Sequence, residues 1–378
     1  MRETRLLLAG AWEEGDERVV VRSPWSGEPV SRVAWAGPPT LERAAAAAAK
    51  AAPEMAAFAP DRRAAILEAA RADLLARKDE VAASIVDEAG KPLSLARAEV
   101  DRAGDTLLAA AHVARFPGLA ARDLSGFASG AGRIALTKRV PLGPVLAITP
   151  FNFPLNLVAH KLAPAVAAGC PVVLKPASQT PTAALLLAAS LVRAGLPDGA
   201  LSVVPSRASD AEALVTDPRF ALLTFTGSAE VGFSLRRKAW DRRVALELGG
   251  NAAVIVEPDW PDLADAARRV ATAAFAWAGQ SCISVQRVFV HRDVAARLAD
   301  LLVEAAESFP TGNPAAEATL CGPMIDAANR ERVLSWVESA RTAGGTRGRR
   351  GVNPWSVCRL VRGVQSQTVI KYESVARK

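Results

Sequence analysis

The strongest constraint in this sequence is a regular alternation over residues 145–248, where short apolar runs are separated by longer segments of helical period. The pattern predicts strands at 145–149, 171–175, 201–204, 222–225 and 244–248, with helices near 155–168, 182–194, 208–215 and 229–239. Parallel neighbours need crossovers of about this length, and strands buried on both faces read as near-continuous apolar runs. A parallel sheet covered by helices on both faces follows, with its ligand at the carboxyl ends of the strands. Neither GxGxxG nor GxxxxGK[ST] is present, so a dinucleotide site does not follow from glycine pattern. After Gly249 the alternation restarts, with strands at 252–256 and 285–290 and helices at 263–277, 295–307 and 327–340. Residues 1–35 read as a β-ribbon around the turn cluster Ser23-Pro24-Trp25-Ser26-Gly27. Residues 39–116 are helical in period and read as helices wrapping the outside of the next domain, and the Ala-rich run at 44–49 reads as surface helix. A small-residue connector at 118–132 leads to an exposed strand at 133–139.

Where the 263–277 helix ends, Ala278-Gly279-Gln280-Ser281-Cys282-Ile283-Ser284 forms a turn of small residues. A lone Cys is first read as a small buried hydrophobe. Gly279, Ser281 and Ser284 offer little to pack against a thiol, however, and they let a carbonyl approach both the sulfur and the Cys282 N–H. Upstream, Glu247 lies in Leu246-Glu247-Leu248-Gly249-Gly250-Asn251. Its apolar neighbours suggest a buried carboxylate at the end of a buried strand; a surface strand with one outward acid is the alternative. The two glycines favour a close-approach turn. With Asn152 these residues are candidates for nucleophile (Cys282), general base (Glu247) and oxyanion donor (Asn152).

Pro150-Phe151-Asn152-Phe153-Pro154, Lys175-Pro176-Ala177-Ser178-Gln179-Thr180-Pro181, Phe225-Thr226-Gly227-Ser228-Ala229-Glu230-Val231-Gly232, Glu247-Leu248-Gly249-Gly250 and Gly279-Gln280-Ser281-Cys282 occur in this order. Together they resemble the aldehyde dehydrogenase superfamily, in its NAD(P)-dependent, non-acylating form. Gly322-Pro323-Met324-Ile325 matches as well. The resemblance implies a Rossmann-like α/β parallel-sheet cofactor domain with N-terminal helices at 1–248 and an incomplete α/β catalytic domain at 249–346. It implies oxidation of an aldehyde to a carboxylic acid through a thiohemiacetal and a thioester on Cys282, with the oxyanion held by Asn152 and hydrolysis driven by Glu247. NAD or NADP is the implied cofactor, held by Thr149, Pro150, Phe151, Lys175, Ser178, Gly227, Ser228, Val231, Leu248 and Gly249. Lys175 and Ser178 would face the adenosine ribose and Ser228 a phosphate. Members preferring NAD commonly carry Glu where this chain has Ser178, so the resemblance leaves the choice between NAD and NADP open. Relatives that transfer the acyl group to coenzyme A usually lack the acid at the Glu247 position. In members oxidising glyceraldehyde 3-phosphate an Arg often precedes the nucleophile, where this chain has Ser281. The strand at 133–139 corresponds to an arm used in subunit assembly and implies a homo-oligomer; an edge hairpin of a monomer reads the residues nearly as well.

The four cysteines and three histidines show no metal-ligand spacing, so no metal is expected and reduced cytosolic thiols are the default. The most apolar stretch, 145–174, is broken by Pro150, Pro154, Pro164 and Pro171 and carries Lys161, which suits strand, helix and strand and not a membrane span. Residues 347–378 hold 8 of the 46 Lys and Arg and 1 of the 39 acids, leaving 38 of each elsewhere, so the net charge of +7 belongs to this tail. The body is neutral, and no nucleic-acid or membrane partner is expected. The family's Glu-x-Phe-Gly-Pro segment and final assembly strand are not found. A shifted reading frame or early end explains the tail; a basic appendage is the alternative. If the catalytic domain is cut short, an inactive nucleotide-binding remnant is the second functional reading and a coenzyme A-acylating enzyme the third.

Overall fold

In the computed structural model, which describes residues 1–343 and the strands at 346–347, 361–362 and 371–375, the chain begins with short strands: β1 (Arg2–Thr4), β2 (Leu6–Leu8), β3 (Ala11–Glu13), β4 (Glu17–Arg22) and β5 (Pro29–Trp35). Helices α1 (Pro38–Ala57), α2 (Pro60–Ala76), α3 (Lys78–Ala89) and α4 (Leu93–Arg115) follow, then the hairpin β6 (Leu119–Asp123) and β7 (Ile134–Lys138). The alternating region comprises β8 (Val145–Ile148), α5 (Asn156–Ala168), β9 (Val172–Lys175), α6 (Thr182–Arg193), β10 (Leu201–Val203), α7 (Ala208–Thr216), β11 (Leu222–Thr226), α8 (Ala229–Lys238) and β12 (Arg243–Glu247). Beyond it lie β13 (Ala252–Val256), α9 (Leu263–Phe275), β14 (Val285–His291), α10 (Arg292–Glu307), α11 (Ala327–Thr342), β15 (Thr346–Arg347), β16 (Val361–Arg362) and β17 (Lys371–Val375).

Two compact units result. The first is built from residues 1–20, 31–81 and 99–247, the second from 21–30, 82–98 and 248–378. In the first, seven strands lie in the order β12-β11-β8-β9-β10-β2-β3. Strands β12 through β10 are mutually parallel, whereas β2 meets β10 antiparallel at Leu7 and Val203. From β8 the chain moves one way, through β9 to β10, then returns to place β11 on the other side of β8. The crossovers leaving β8 and β11 therefore diverge, which opens a crevice at their carboxyl ends where open α/β sheets take their ligands.

Helix α1 corrects the surface-helix expectation. Leu41, Ala44, Ala45 and Ala48 are buried with Leu6, Leu146, Val173, Val204 and Leu223. Small Ala side chains let this helix lie close on the sheet, so one face of it is buried as a covering layer while Glu42, Arg43, Ala46 and Lys50 stay exposed. Glu99 of α4 is buried and accepts the N–H groups of Leu155 (2.9 Å) and Asn156 (3.0 Å), capping α5 with a carboxylate. The small-residue connector also needs correction, since it contains β6, paired residue for residue with β7 from Leu119–Lys138 to Asp123–Ile134.

The second unit holds the parallel sheet β13-β14-β17. Helices α9 and α10 bury Val270, Phe275, Leu298 and Leu302 with Val256, Val288 and Val290 of the strands and with Phe309. Asp262 caps α9 by accepting the Asp265 N–H at 2.9 Å. Apart from its strands, the basic tail at 347–378, with the explanations offered for it, lies outside the described residues.

Candidate functional site

Registers in the first sheet bring the expected residues to one edge. Ile148 is paired with Lys175, Phe225 with Ile148, and Thr226 with Glu247, so Thr149, Lys175, Gly227 and Glu247 all stand at carboxyl ends of neighbouring strands. Pro150, Phe151 and Asn152, all partly buried, follow β8 directly. Glu247 is exposed, which corrects the buried-strand reading. The physical reason is position: β12 is the outermost strand, has β11 as its one neighbour, and buries none of its side chains fully.

Two features on this edge await a polar partner. The buried Thr149 hydroxyl has no hydrogen-bond partner among the described residues. Lys175 is buried, with only the Pro176 carbonyl at 3.4 Å from its Nζ, and burial pushes its pKa down to about 8. A buried hydroxyl with no partner and a buried ammonium with one long hydrogen bond are costly unless a ligand completes them. The ribose and phosphate oxygens of a dinucleotide have the chemistry to do so, and the residues present fit that group. Ser178 is half-buried, its Oγ 3.5 Å from the Ser206 carbonyl. At the start of α8 the Gly227 N–H donates to the Glu247 carbonyl (3.0 Å), and Ser228 Oγ accepts the exposed Val231's N–H (3.4 Å). The Gly227 amide is therefore spent within the sheet, and the dipole of the first turn of α8 acts through the amides that follow.

Residues that sequence reasoning missed lie near Glu247. Lys161 of α5 is buried, donates to Thr224 Oγ1 at 2.9 Å, and has its pKa pushed down to about 8 by burial, with Glu247 opposing the shift. His160 is held below its ordinary pKa by desolvation and then by Arg102 and Lys161, again against Glu247. Thr106 Oγ1 joins α4 to α5 at Asn156 Oδ1 (3.2 Å), and Thr106 and His160 line the same cavity of about 530 Å³. A lysine inside the otherwise apolar run of α5 was the available signal; Arg102 carried none, because only helix pairing brings it to His160.

In the second unit Cys282 is exposed, and neither its Sγ nor its backbone N–H has a hydrogen-bond partner among the described residues. The buried-thiol reading does not hold. A Cβ on Gly250 would sit 2.6 Å from the Cys282 carbonyl oxygen, so of the two glycines after Glu247 it is Gly250 that close approach requires, while Gly249 faces open space. Leu248 is partly buried and Gly249 exposed. Immediately before the thiol, Trp277 (φ 58°, ψ 33°) and Ala278 (φ 53°, ψ 29°) are both left-handed, which costs about 1–2 kcal/mol per residue. No group of His, Cys, Asp and Glu among the described residues could hold a metal ion, and no helix there is long and apolar enough to cross a membrane.

The sequence model of the "Aldehyde dehydrogenase family" matches residues 12–352, slightly past the expected end of the catalytic domain at 346. The 3-sulfolactaldehyde dehydrogenase of Priestia megaterium is 39% identical over 91% of this chain and 72% of its own length. Aldehyde dehydrogenase 21 from Physcomitrella patens, solved with the reaction product succinate, superposes with a TM-score of 0.92 at 35% identity, over 99% of this chain and 81% of that one. The NADP-dependent glyceraldehyde-3-phosphate dehydrogenase from Bacillus halodurans, solved with NADP, gives 0.93 at 29% identity, over 99% and 82%. The oxidation reading fits these relatives, and neither the nucleotide-binding remnant nor the coenzyme A-acylating enzyme gains support from them. With its family matched along most of its length, the chain belongs to the aldehyde dehydrogenase family and is an NAD(P)-dependent oxidoreductase of aldehydes.

Proposed function

We propose that this chain oxidises a small aldehyde bearing a sulfonate or carboxylate, with Cys282 as nucleophile, Glu247 as general base, and Asn152 with the Cys282 N–H as oxyanion donors. The observation that carries the assignment is the exposed thiol in a turn that leaves its own N–H open. Sulfur attacks the carbonyl carbon, and the oxygen that becomes negative is met by the two donors. When bound, NAD or NADP would supply the acceptor for the hydride that leaves that carbon. The acyl group then remains on Cys282 as a thioester. Glu247 takes a proton from water, the hydroxyl attacks the acyl carbon, and the C–S bond breaks to release acid and thiol.

Thr149, Lys175, Ser178 and the start of α8 at Gly227 and Ser228 would hold the cofactor, with Pro150, Phe151, Val231, Leu248 and Gly249 around it. Lys175 and the orphaned Thr149 hydroxyl support that reading. The anionic substrate class is supported by His160 and Lys161 close to Glu247, with Arg102 beside His160, and by the three relatives, whose named compounds carry sulfonate, carboxylate or phosphate. The same exposed hairpin, β6–β7, supports a homo-oligomer, and the free thiols a reducing, cytoplasmic setting. Nicotinamide absorbance is to be followed with succinate semialdehyde, 3-sulfolactaldehyde and neutral short aldehydes, each with NAD and NADP. The anionic substrates should give the higher kcat/KM; Cys282→Ala should abolish turnover, and Glu247→Gln should accumulate acyl-enzyme after one fast turnover. Full turnover by the Cys282→Ala protein would overturn the assignment.

A further inference from the structure

The segment before Cys282 contains consecutive left-handed residues that are not glycine, Trp277 and Ala278, followed by Gly279 at φ 68°. Such a backbone persists only where its surroundings over-determine it. Those surroundings lie in the second unit. The Trp277 N–H donates to the Leu320 carbonyl at 2.9 Å. Gln280 works in both directions: its Nε2 donates to the carbonyls of Trp277 (3.3 Å) and Pro323 (3.4 Å), while its Oε1 accepts the Ile325 N–H at 3.0 Å. Beneath the turn, Lys91, 1% exposed, sets its ammonium 5.5 Å from the centre of the Trp277 ring.

The anchor is itself fixed. A Cβ on Gly90 (φ 68°) would meet Pro323 Cγ at 2.5 Å, and one on Gly322 would collide with the Gly90 carbonyl oxygen. Leu93 N–H donates to the Pro314 carbonyl at 2.8 Å. The Gly90-Lys91-Pro92 turn and the 314–325 segment are thereby pinned together, and the strained turn is bolted to both.

We propose that the Trp277-Ala278-Gly279 turn is a strained mount which sets the position of the Cys282 thiol, with Gln280 and Lys91 as its positioning residues. This rests on the reading of Cys282 as nucleophile, since a mount matters only if the sulfur it carries does chemistry. A bent turn directs the chain so that the thiol and its N–H face outward; a relaxed turn would let them drift, and misplacement of a reacting group by about 1 Å can cost about 100-fold in rate.

Two variants test it, read by the rate of iodoacetamide alkylation of Cys282 in the full-length protein, assigned by peptide mass with buried Cys170 and Cys321 as internal controls, and by kcat. Ala278→Gly relieves one left-handed residue and removes a single methyl, which packs at the edge of the second unit's core, while every hydrogen bond of the turn is kept. Its Tm should equal or exceed that of the unaltered protein, while alkylation of Cys282 and kcat both fall at least about fivefold. Gln280→Ala should slow both by at least about fivefold as well, with no change in cofactor affinity. A smaller loss in Ala278→Gly overturns the proposal, and that variant alone decides if Gln280→Ala does not fold. Alkylation reports the thiol whether or not it is the nucleophile, so full turnover by Cys282→Ala would remove the mechanistic reading separately.

Discussion

Lys175 carries a cost that its position explains. With its pKa pushed down to about 8 by burial, against about 10.4 in an unfolded chain, the folded protein loses this proton first. Below about pH 8 both states are protonated and the penalty is fully present; as pH rises from about 8 to about 10.4 the unfolded chain holds the extra proton, and stability rises with pH in that window. Lys175→Met should therefore raise stability at pH 7 by up to about 3 kcal/mol in urea denaturation, an advantage that fades by pH 10. The same variant should weaken dinucleotide binding about tenfold or more, measured by fluorescence titration, since a hydrogen bond to a charged donor is worth about 1.5–3 kcal/mol. Greater stability together with weaker binding is the signature of a group kept for its ligand. At this scale the sequence showed residue types at strand ends, and so Lys175 and Ser228 were legible. It did not show that Glu247 stands on an outermost strand, because an apolar run looks the same whether or not a further layer covers it.

At the scale of elements, the strands and helices of residues 145–248 were legible to within about two residues, because period and punctuation are local properties. What holds an element to its neighbour was not. The buried Glu99 carboxylate caps α5, the helix that carries His160 and Lys161, from a helix that precedes it in the chain by some fifty residues. Glu99→Ala should cost about 2 kcal/mol, seen as a lower Tm, with a loss of kcat because the loop bearing Asn152 leads into that cap. Among the described residues the β6–β7 hairpin pairs with no other sheet, and it exposes Leu119, Phe127, Ile134 and Leu136, each about two-thirds open to solvent. Its strand alternation could be read at 133–139 but not at 119–123, where Arg122 and Asp123 mask the pairing. A patch of this kind fits the homo-oligomer proposed above. Replacing Ile134 and Leu136 together by Ser should shift the protein to a smaller species in light scattering coupled to gel filtration, with the monomer fold retained in circular dichroism.

For the whole molecule, local pattern reaches its limit at the division into units. A cut near residue 248 could be read from the restart of the alternation. That residues 21–30 and 82–98 belong with the second unit could not, since nothing in a turn cluster or a helix end names the surface it packs on. The placement of β2 and β3 at the far side of the first sheet is of the same kind. Removing residues 1–13 should uncover the edge of β10 and increase aggregation, measured as turbidity on mild heating, because an unpaired strand edge recruits other chains.

That placement also fixes a sequence of events during synthesis. Leu7 leaves the ribosome almost two hundred residues ahead of Val203, its partner across the ladder. Domains start to organise as they emerge, at about 5–20 residues per second, so the β2–β3 hairpin, once paired with itself, waits roughly 10–40 seconds for the edge of β10. Until then the first helix to cover the hairpin is α1, which follows it closely and buries its alanines beside Leu6. The N-terminal ribbon is thus made first and docked late, and a nascent chain stalled before residue 203 would display it to chaperones.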